Sequence, residues 1–125
     1  MFTMRFLGDE TNARRLRDLE LDEPEQYAKQ SLEIVEKLLD AFIVHGDLSE
    51  YNLLLYHDRI FVIDFPQAVD LSSRPNRHRR FQKAKPLLHR DLENVARYFS
   101  QYDIEIDAQA EYERLTTRFE REHLD

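Results

Sequence analysis

Asp47, Asn52 and Asp64 are the residues of this 125-residue chain whose types and spacing carry the clearest chemistry. Asp47 and Asn52 stand five positions apart in "HGDLSEYN", residues 45–52, and Asp64 closes the apolar run of "VIDF". A few hard oxygen donors suit magnesium, which keeps several waters and takes few protein ligands. A further carboxylate beside an attacking hydroxyl can accept its proton. These are the groups phosphoryl transfer asks of a protein: a base at the nucleophile, and oxygens that hold the metal on the phosphates. The spacing D-x-x-x-x-N alone is weak evidence. H-G-D-x-x-x-x-N followed by a strand ending in Asp is far more specific, because a capping Asp47, a turn Asn52 and a strand-end Asp64 would otherwise have to coincide. His45 fits a bracing role, hydrogen-bonded to backbone, better than a chemical one.

The elements that must position these groups follow from the pattern of apolar residues. Asp22 is a candidate N-cap with Glu25 three positions on and Pro24 in the first turn, where no amide donor is needed. Tyr27, Leu32, Val35, Leu38, Leu39 and Phe42 recur at three- and four-residue steps, so a helix is expected over 22–42. It delivers the chain to the 45–52 loop. Leu53–Tyr56 and Ile60–Ile63 read as a β-hairpin over 53–64 separated by His57–Arg59, and Pro66 stops the ladder beyond Asp64. Leu88, Leu92, Val95 and Phe99 predict a helix over 86–100, starting at Pro86; Tyr112, Leu115 and Phe119 predict another over 107–123, capped by Asp107. Residues 1–21 show no clean period. The expected fold class is α+β, mainly helical with one short hairpin that carries the metal-binding Asp.

Eight Phe and six Tyr within 42% apolar residues are enough for the core of one domain. The absence of cysteine excludes a disulfide framework and suits a reducing cytoplasm. No window approaches the roughly 20 apolar residues of a bilayer span, and Arg5 and Asp9 interrupt the N-terminus too soon for a secretory signal. The net charge of −7 disfavours a surface devoted to nucleic acid. The charge is uneven, however: residues 71–90 hold Arg74, Arg77, Arg79, Arg80, Lys83, Lys85 and Arg90 and no acid. A solvated loop and a contact for an anionic partner such as RNA both fit that stretch.

Helix, polar loop, hairpin and terminal Asp together resemble the way a protein-kinase catalytic lobe builds its site. "MRFLGDE", "HGDLSEYNLL", "VIDFPQAVD" and "RDLENVARYFSQY" run in order along nearly the whole chain and resemble successive motifs of the RIO kinase family. These are atypical serine kinases and ATPases linked to maturation of the small ribosomal subunit. The resemblance implies ATP and Mg2+ as cofactors, Asp47 as the catalytic proton acceptor, and Asn52 and Asp64 as metal ligands. It also makes Asp64 the residue proposed to become an aspartyl-phosphate. Met4, Arg5 and Leu7, in a hinge stretch over 1–8, would face adenine, and Ser49 either touches phosphate or shapes the loop. On this reading the chain is a protein-kinase-like C-terminal lobe without the N-lobe that carries the phosphate-covering loop and its lysine. The missing lobe or a second copy is then the expected partner at the hinge end, with ribosomal RNA or a pre-ribosome as a partner of residues 74–90. Two alternatives stay open at the level of sequence: a small-molecule phosphotransferase of the aminoglycoside or choline kinase kind, and a non-catalytic binding module for RNA or protein.

Overall fold

The computed structural model describes residues 13–124, so Met4, Arg5 and Leu7 and the rest of the 1–8 stretch lie outside the described residues. Helix α1, Pro24–Asp40, begins with proline in its first turn. Its cap position is Glu23, which makes no side-chain cap bond, so the expected Asp22–Glu25 capping box does not form. The Glu23 carboxylate instead accepts from the Gln26 amide at 3.4 Å. Tyr27, Ser31, Ile34, Val35, Leu38 and Leu39 form the buried face, and Ser31 spends its hydroxyl on the Tyr27 carbonyl at 2.8 Å. The helix stops before Phe42, whose φ of 65° turns the chain sharply into strand β2, Ile43–Val44.

The expected hairpin forms from β3, Leu53–Tyr56, and β4, Arg59–Val62, in the register Leu53↔Val62 to Tyr56↔Arg59. Its two-residue turn, His57–Asp58, has φ of 50° and 61°. Positive φ at both central positions gives the type I′ geometry that matches the twist of paired strands. Helix α1 grips the hairpin: Tyr27 donates to the Asp58 carboxylate at 3.1 Å, and Gln30 donates to the Asp58 carbonyl and accepts from the Ile60 N–H. Strand β1, Arg14–Arg15, completes this antiparallel sheet beside β3. A second, two-stranded sheet pairs β2 with β5, Val69–Asp70.

Helix α2, Arg77–Ser100, departs most from expectation. Its helical start lies well before Pro86, inside the basic stretch, and Pro86 sits within the helix. Phe81 and Ala84 explain this, because they continue the buried line of Leu88, Leu92, Val95 and Phe99 back toward the N-terminus. The Gln82 carbonyl that loses its donor at Pro86 is on the exposed side, where water can serve it. Arg77 is buried, not solvated: it donates to the Leu71 and Ser72 carbonyls at 2.8 and 2.9 Å and lies over the Phe42 ring. Arg74, Arg79, Arg80 and Lys83 remain exposed.

Helix α3, Ala108–His123, is capped by Asp107, which accepts from Ala110 N–H at 3.0 Å. Its Phe119 stacks on Phe81 with ring centroids 4.5 Å apart, closing the core between α2 and α3. Full burial of a Phe side chain contributes roughly 2–3 kcal/mol. Among the described residues no helix is long and apolar enough to cross a membrane.

Glu36 on α1 bridges to α3 through Arg114, at 3.1 Å, and Arg118. Hydrogen bonds from Arg114 and then Arg118 hold its carboxyl below the ordinary value of 4.5, against an opposing cost of burial. A depressed carboxylate contributes stability above its unfolded pKa and loses it as pH falls. Urea midpoints measured from pH 7 to 3 should therefore decline below about pH 4.5. Glu36→Gln should cost roughly 1 kcal/mol at pH 7 and flatten that decline; identical slopes would show that the bridge is idle.

Candidate active site

The site is built around a loop whose backbone is tied down on three sides. His45 leaves β2 at 1% exposure. Its Nδ1 accepts the Asp47 N–H at 3.1 Å, so Nε2 carries the ring proton and donates to the Ile63 carbonyl, also at 3.1 Å. One imidazole thus joins Asp47 to the residue before Asp64. Ile63 returns its own N–H to the Asn52 carbonyl at 3.0 Å. Gly46 follows with φ of 88°, a left-handed conformation, and a Cβ there would lie 2.9 Å from the Gln67 carbonyl oxygen. Glycine is required on both counts.

Asn52 closes the loop with its side chain. Its Nδ2 donates to the Asp47 carbonyl at 2.5 Å and its Oδ1 accepts the Ser49 N–H at 2.8 Å, leaving one lone pair of Oδ1 uncommitted. Ser49 Oγ accepts the Tyr51 N–H at 3.2 Å, so it shapes the turn. Asp47 and Asp64 are exposed, and among the described residues neither carboxylate accepts a hydrogen bond. Asp64 holds φ of 61°, an αL conformation that Asp tolerates better than most residues. The Phe65 ring beside it packs on His45 with centroids 4.9 Å apart. Hydrogen bonding therefore brings Asp47, Asn52 and Asp64 into one neighbourhood. Among the described residues no three His, Cys, Asp or Glu side chains cluster as a metal cage.

The decisive support comes from α2. Asp91 is 1% exposed, and its two carboxylate oxygens accept Gly46 N–H and Leu48 N–H, each at 2.9 Å. Arg90 donates to the Gly46 carbonyl and Asn94 donates to the Leu48 carbonyl at 2.8 Å. Within three successive loop residues, the polar backbone on either side of Asp47 is satisfied by one helix face. Burial pushes the Asp91 carboxyl above its ordinary value, and the two loop N–H donors pull it back. Asp91 and Asn94 stood in the sequence only within "RDLENVARYFSQY", and Arg90 also among the basic residues of 71–90, none with a role at the loop. The signal was present, since Asp91 lies three positions after Leu88 and four before Val95, on the core-facing line of its helix.

The profile of the RIO domain matches residues 1–113. The chain belongs to the RIO family. It is 36% identical over 104 residues to the RIO-type serine/threonine-protein kinase Rio1 of Haloferax volcanii, covering 83% of this chain and 33% of that protein. With Thermoplasma acidophilum Rio1 it shares 33% over 108 residues, 86% of this chain and 52% of the relative. With Methanocaldococcus jannaschii Rio2 it shares 44% over 75 residues, 59% of this chain and 25% of the relative. The chain thus spans between a quarter and about half the length of these RIO relatives. The fold resembles the crystal structure of the Rio2 kinase–ADP/Mg2+–phosphoaspartate complex from Chaetomium thermophilum, with a TM-score of 0.60 at 19% identity over 88% of this chain and 38% of that one. The architecture is kinase-like, mixed helix and sheet.

Removing the Asp91 carboxylate strands two buried N–H donors. Asp91→Asn, which offers a single acceptor and turns an amide against the other donor, should lower urea-unfolding stability by roughly 1–3 kcal/mol, and Asp91→Ala by more. Stability unchanged in both variants would mean that the loop is held elsewhere.

Proposed function

We propose that this RIO chain supplies the metal- and acceptor-facing wall of an ATP- and Mg2+-dependent phosphoryl-transfer site, as the larger catalytic lobe of a serine/threonine kinase or ATPase. The observation that carries the reading is the His45 ring: it ties Asp47 to the residue before Asp64, while both carboxylates stay free of internal hydrogen bonds among the described residues. Asp47 takes the proton of the attacking hydroxyl. Asn52 and Asp64 would hold magnesium, which would supply charge neutralisation at the phosphates. Ser49 holds the loop in shape beside them. Met4, Arg5 and Leu7 are assigned to adenine on the strength of the "MRFLG" motif. The phosphoaspartate of the Chaetomium complex favours Asp64 as the residue that carries phosphate on the protein.

These 125 residues hold two glycines, Gly8 and Gly46, so a glycine-rich loop over the phosphates is not among them. Positioning supplies most of the rate in phosphoryl transfer. Residues 1–125 alone should accordingly bind nucleotide weakly and turn it over little, and a segment that covers the phosphates completes the site. Membership in the RIO family favours this reading over the aminoglycoside or choline kinase alternative.

Substitution separates the roles when ATP binding and turnover are measured on the longest native form that contains this chain. Asp64→Asn should abolish magnesium-supported ATP binding and any phosphate on the protein. Asp47→Ala should leave binding intact and lower turnover by about 10²–10⁴-fold. Equal loss of binding in both variants would overturn the assignment.

A further inference from the structure

Tyr51 lies between Glu50 and the metal-ligand candidate Asn52, yet the chemistry proposed for the loop makes no use of it. It is 53% exposed, the large aromatic or aliphatic side chain left in solvent among the described residues. Every other large apolar group of the loop is inside: Leu48 is fully buried and Leu53 nearly so. The position of Tyr51 is fixed by the loop itself, through its N–H on Ser49 Oγ and the Asn52 N–H on the Ser49 carbonyl. Its ring is covered on one side by the Arg17 guanidinium, 5.1 Å from the centroid. Arg17 is in turn tied to the loop, because its N–H donates to the Glu50 carbonyl at 3.0 Å.

An exposed arginine–aromatic contact contributes about 0.5–1 kcal/mol, weak enough for both groups to engage a ligand. The surroundings give it a direction. Arg17 already binds one carboxylate, that of Asp18, at 3.2 Å on the surface. Arg14 and Arg15 on β1 are exposed and form no ion pair among the described residues, and β1 is paired to β3, the strand that leaves the loop. Arg14, Arg15 and Arg17 put three positive charges within four positions beside the loop, ahead of the acids Asp18, Glu20, Asp22 and Glu23.

We propose that Tyr51 and Arg17 form the subsite that receives the phosphate acceptor, and that the acceptor is an acidic polypeptide segment. This deepens the phosphoryl-transfer reading and rests on it for the reaction itself. An aspartate or glutamate of the segment pairs with the Arg17 guanidinium in place of Asp18, and a neighbouring side chain lies on the Tyr51 ring. The acceptor's serine or threonine hydroxyl then faces Asp47, which the same hydrogen-bonded loop carries. In the step, the acceptor oxygen bonds to the γ-phosphorus, the bond from that phosphorus to the β,γ-bridging oxygen breaks, ADP leaves, and Asp47 takes the hydroxyl proton. Atoms and charge balance without another reactant. Arg14 and Arg15 extend the positive surface for acidic residues farther along the segment.

The test uses the longest native form containing this chain and a fluorescein-labelled serine peptide flanked by Asp and Glu, with an Asn/Gln version of the same peptide as control. Binding is read by anisotropy without ATP, and Mg–ATP binding is measured separately. The acidic peptide should bind at least tenfold tighter than the control. Tyr51→Ala and Arg17→Ala should each weaken it fivefold or more while Mg–ATP binding stays unchanged, and Arg17→Glu should reverse the preference. In turnover, the two alanine variants should raise KM for the acidic peptide and leave kcat nearly intact. Equal binding of both peptides, or binding that survives both substitutions, overturns the subsite. A labelled oligouridylate that outcompetes the acidic peptide and shares its sensitivity to both substitutions also overturns it, in favour of single-stranded RNA. Failure of the wild-type protein to bind Mg–ATP sinks the phosphoryl-transfer reading instead, and the peptide arm still decides this one.

Discussion

A buried carboxylate with two backbone N–H groups pointing at it constrains everything around it. Asp91 accepts from Gly46 and Leu48, so the backbone on both sides of Asp47 has one conformation in which its donors are paired. Helix α2 can offer that carboxylate because Phe81, Leu88, Leu92, Val95 and Phe99 fix its rotation against the core. Packing thus becomes loop geometry through two hydrogen bonds of 2.9 Å. The neighbouring contacts from Arg90 and Asn94 pair the Gly46 and Leu48 carbonyls as well, so one helix face holds both donors and acceptors on either side of Asp47. A loop so held can keep a reactive carboxylate in solvent without its wandering.

From that fixed loop, geometry spreads to the hairpin. His45 connects forward to Asp47 and across to Ile63, and Ile63 connects back to Asn52. Asp64 inherits its place from these bonds and from the strand pairing that ends at Val62. Its αL conformation, like that of Phe42, is a local cost of order 1 kcal/mol borne where the chain must turn at the site. Such strain persists because the surrounding hydrogen bonds over-determine it.

Much of this was legible in the sequence. Periodicity gave α1 and α3 to within a few residues, Asp107 is the cap it was expected to be, and the hairpin strands lie at or next to the positions their apolar runs indicated. The start of α2 was not legible, because the charge density of residues 71–90 and Pro86 both argue for a loop, whereas Phe81 and Ala84 bury enough surface to extend the helix through them. The same charge count treated Arg77 as one more solvated cation, yet it is spent on the Leu71 and Ser72 carbonyls. Strand β1 was invisible, since two arginines show no alternation and their pairing with β3 depends on tertiary context. At the site, the residue types and spacing pointed to the groups that face outward. The groups that hold them, Asp91 and Asn94, are silent in such a reading because their partners are backbone atoms more than forty positions away.

The central claim is that the Asp91 carboxylate fixes the loop that bears Asp47. Amide hydrogen exchange at Gly46 and Leu48, followed by NMR at neutral pH, addresses it directly. In the wild-type protein both amides should exchange as slowly as those of the β3–β4 ladder. In Asp91→Asn they should quicken by about tenfold or more relative to that ladder. Exchange at Gly46 and Leu48 that is fast in the wild type, or unchanged by the substitution, would contradict the account.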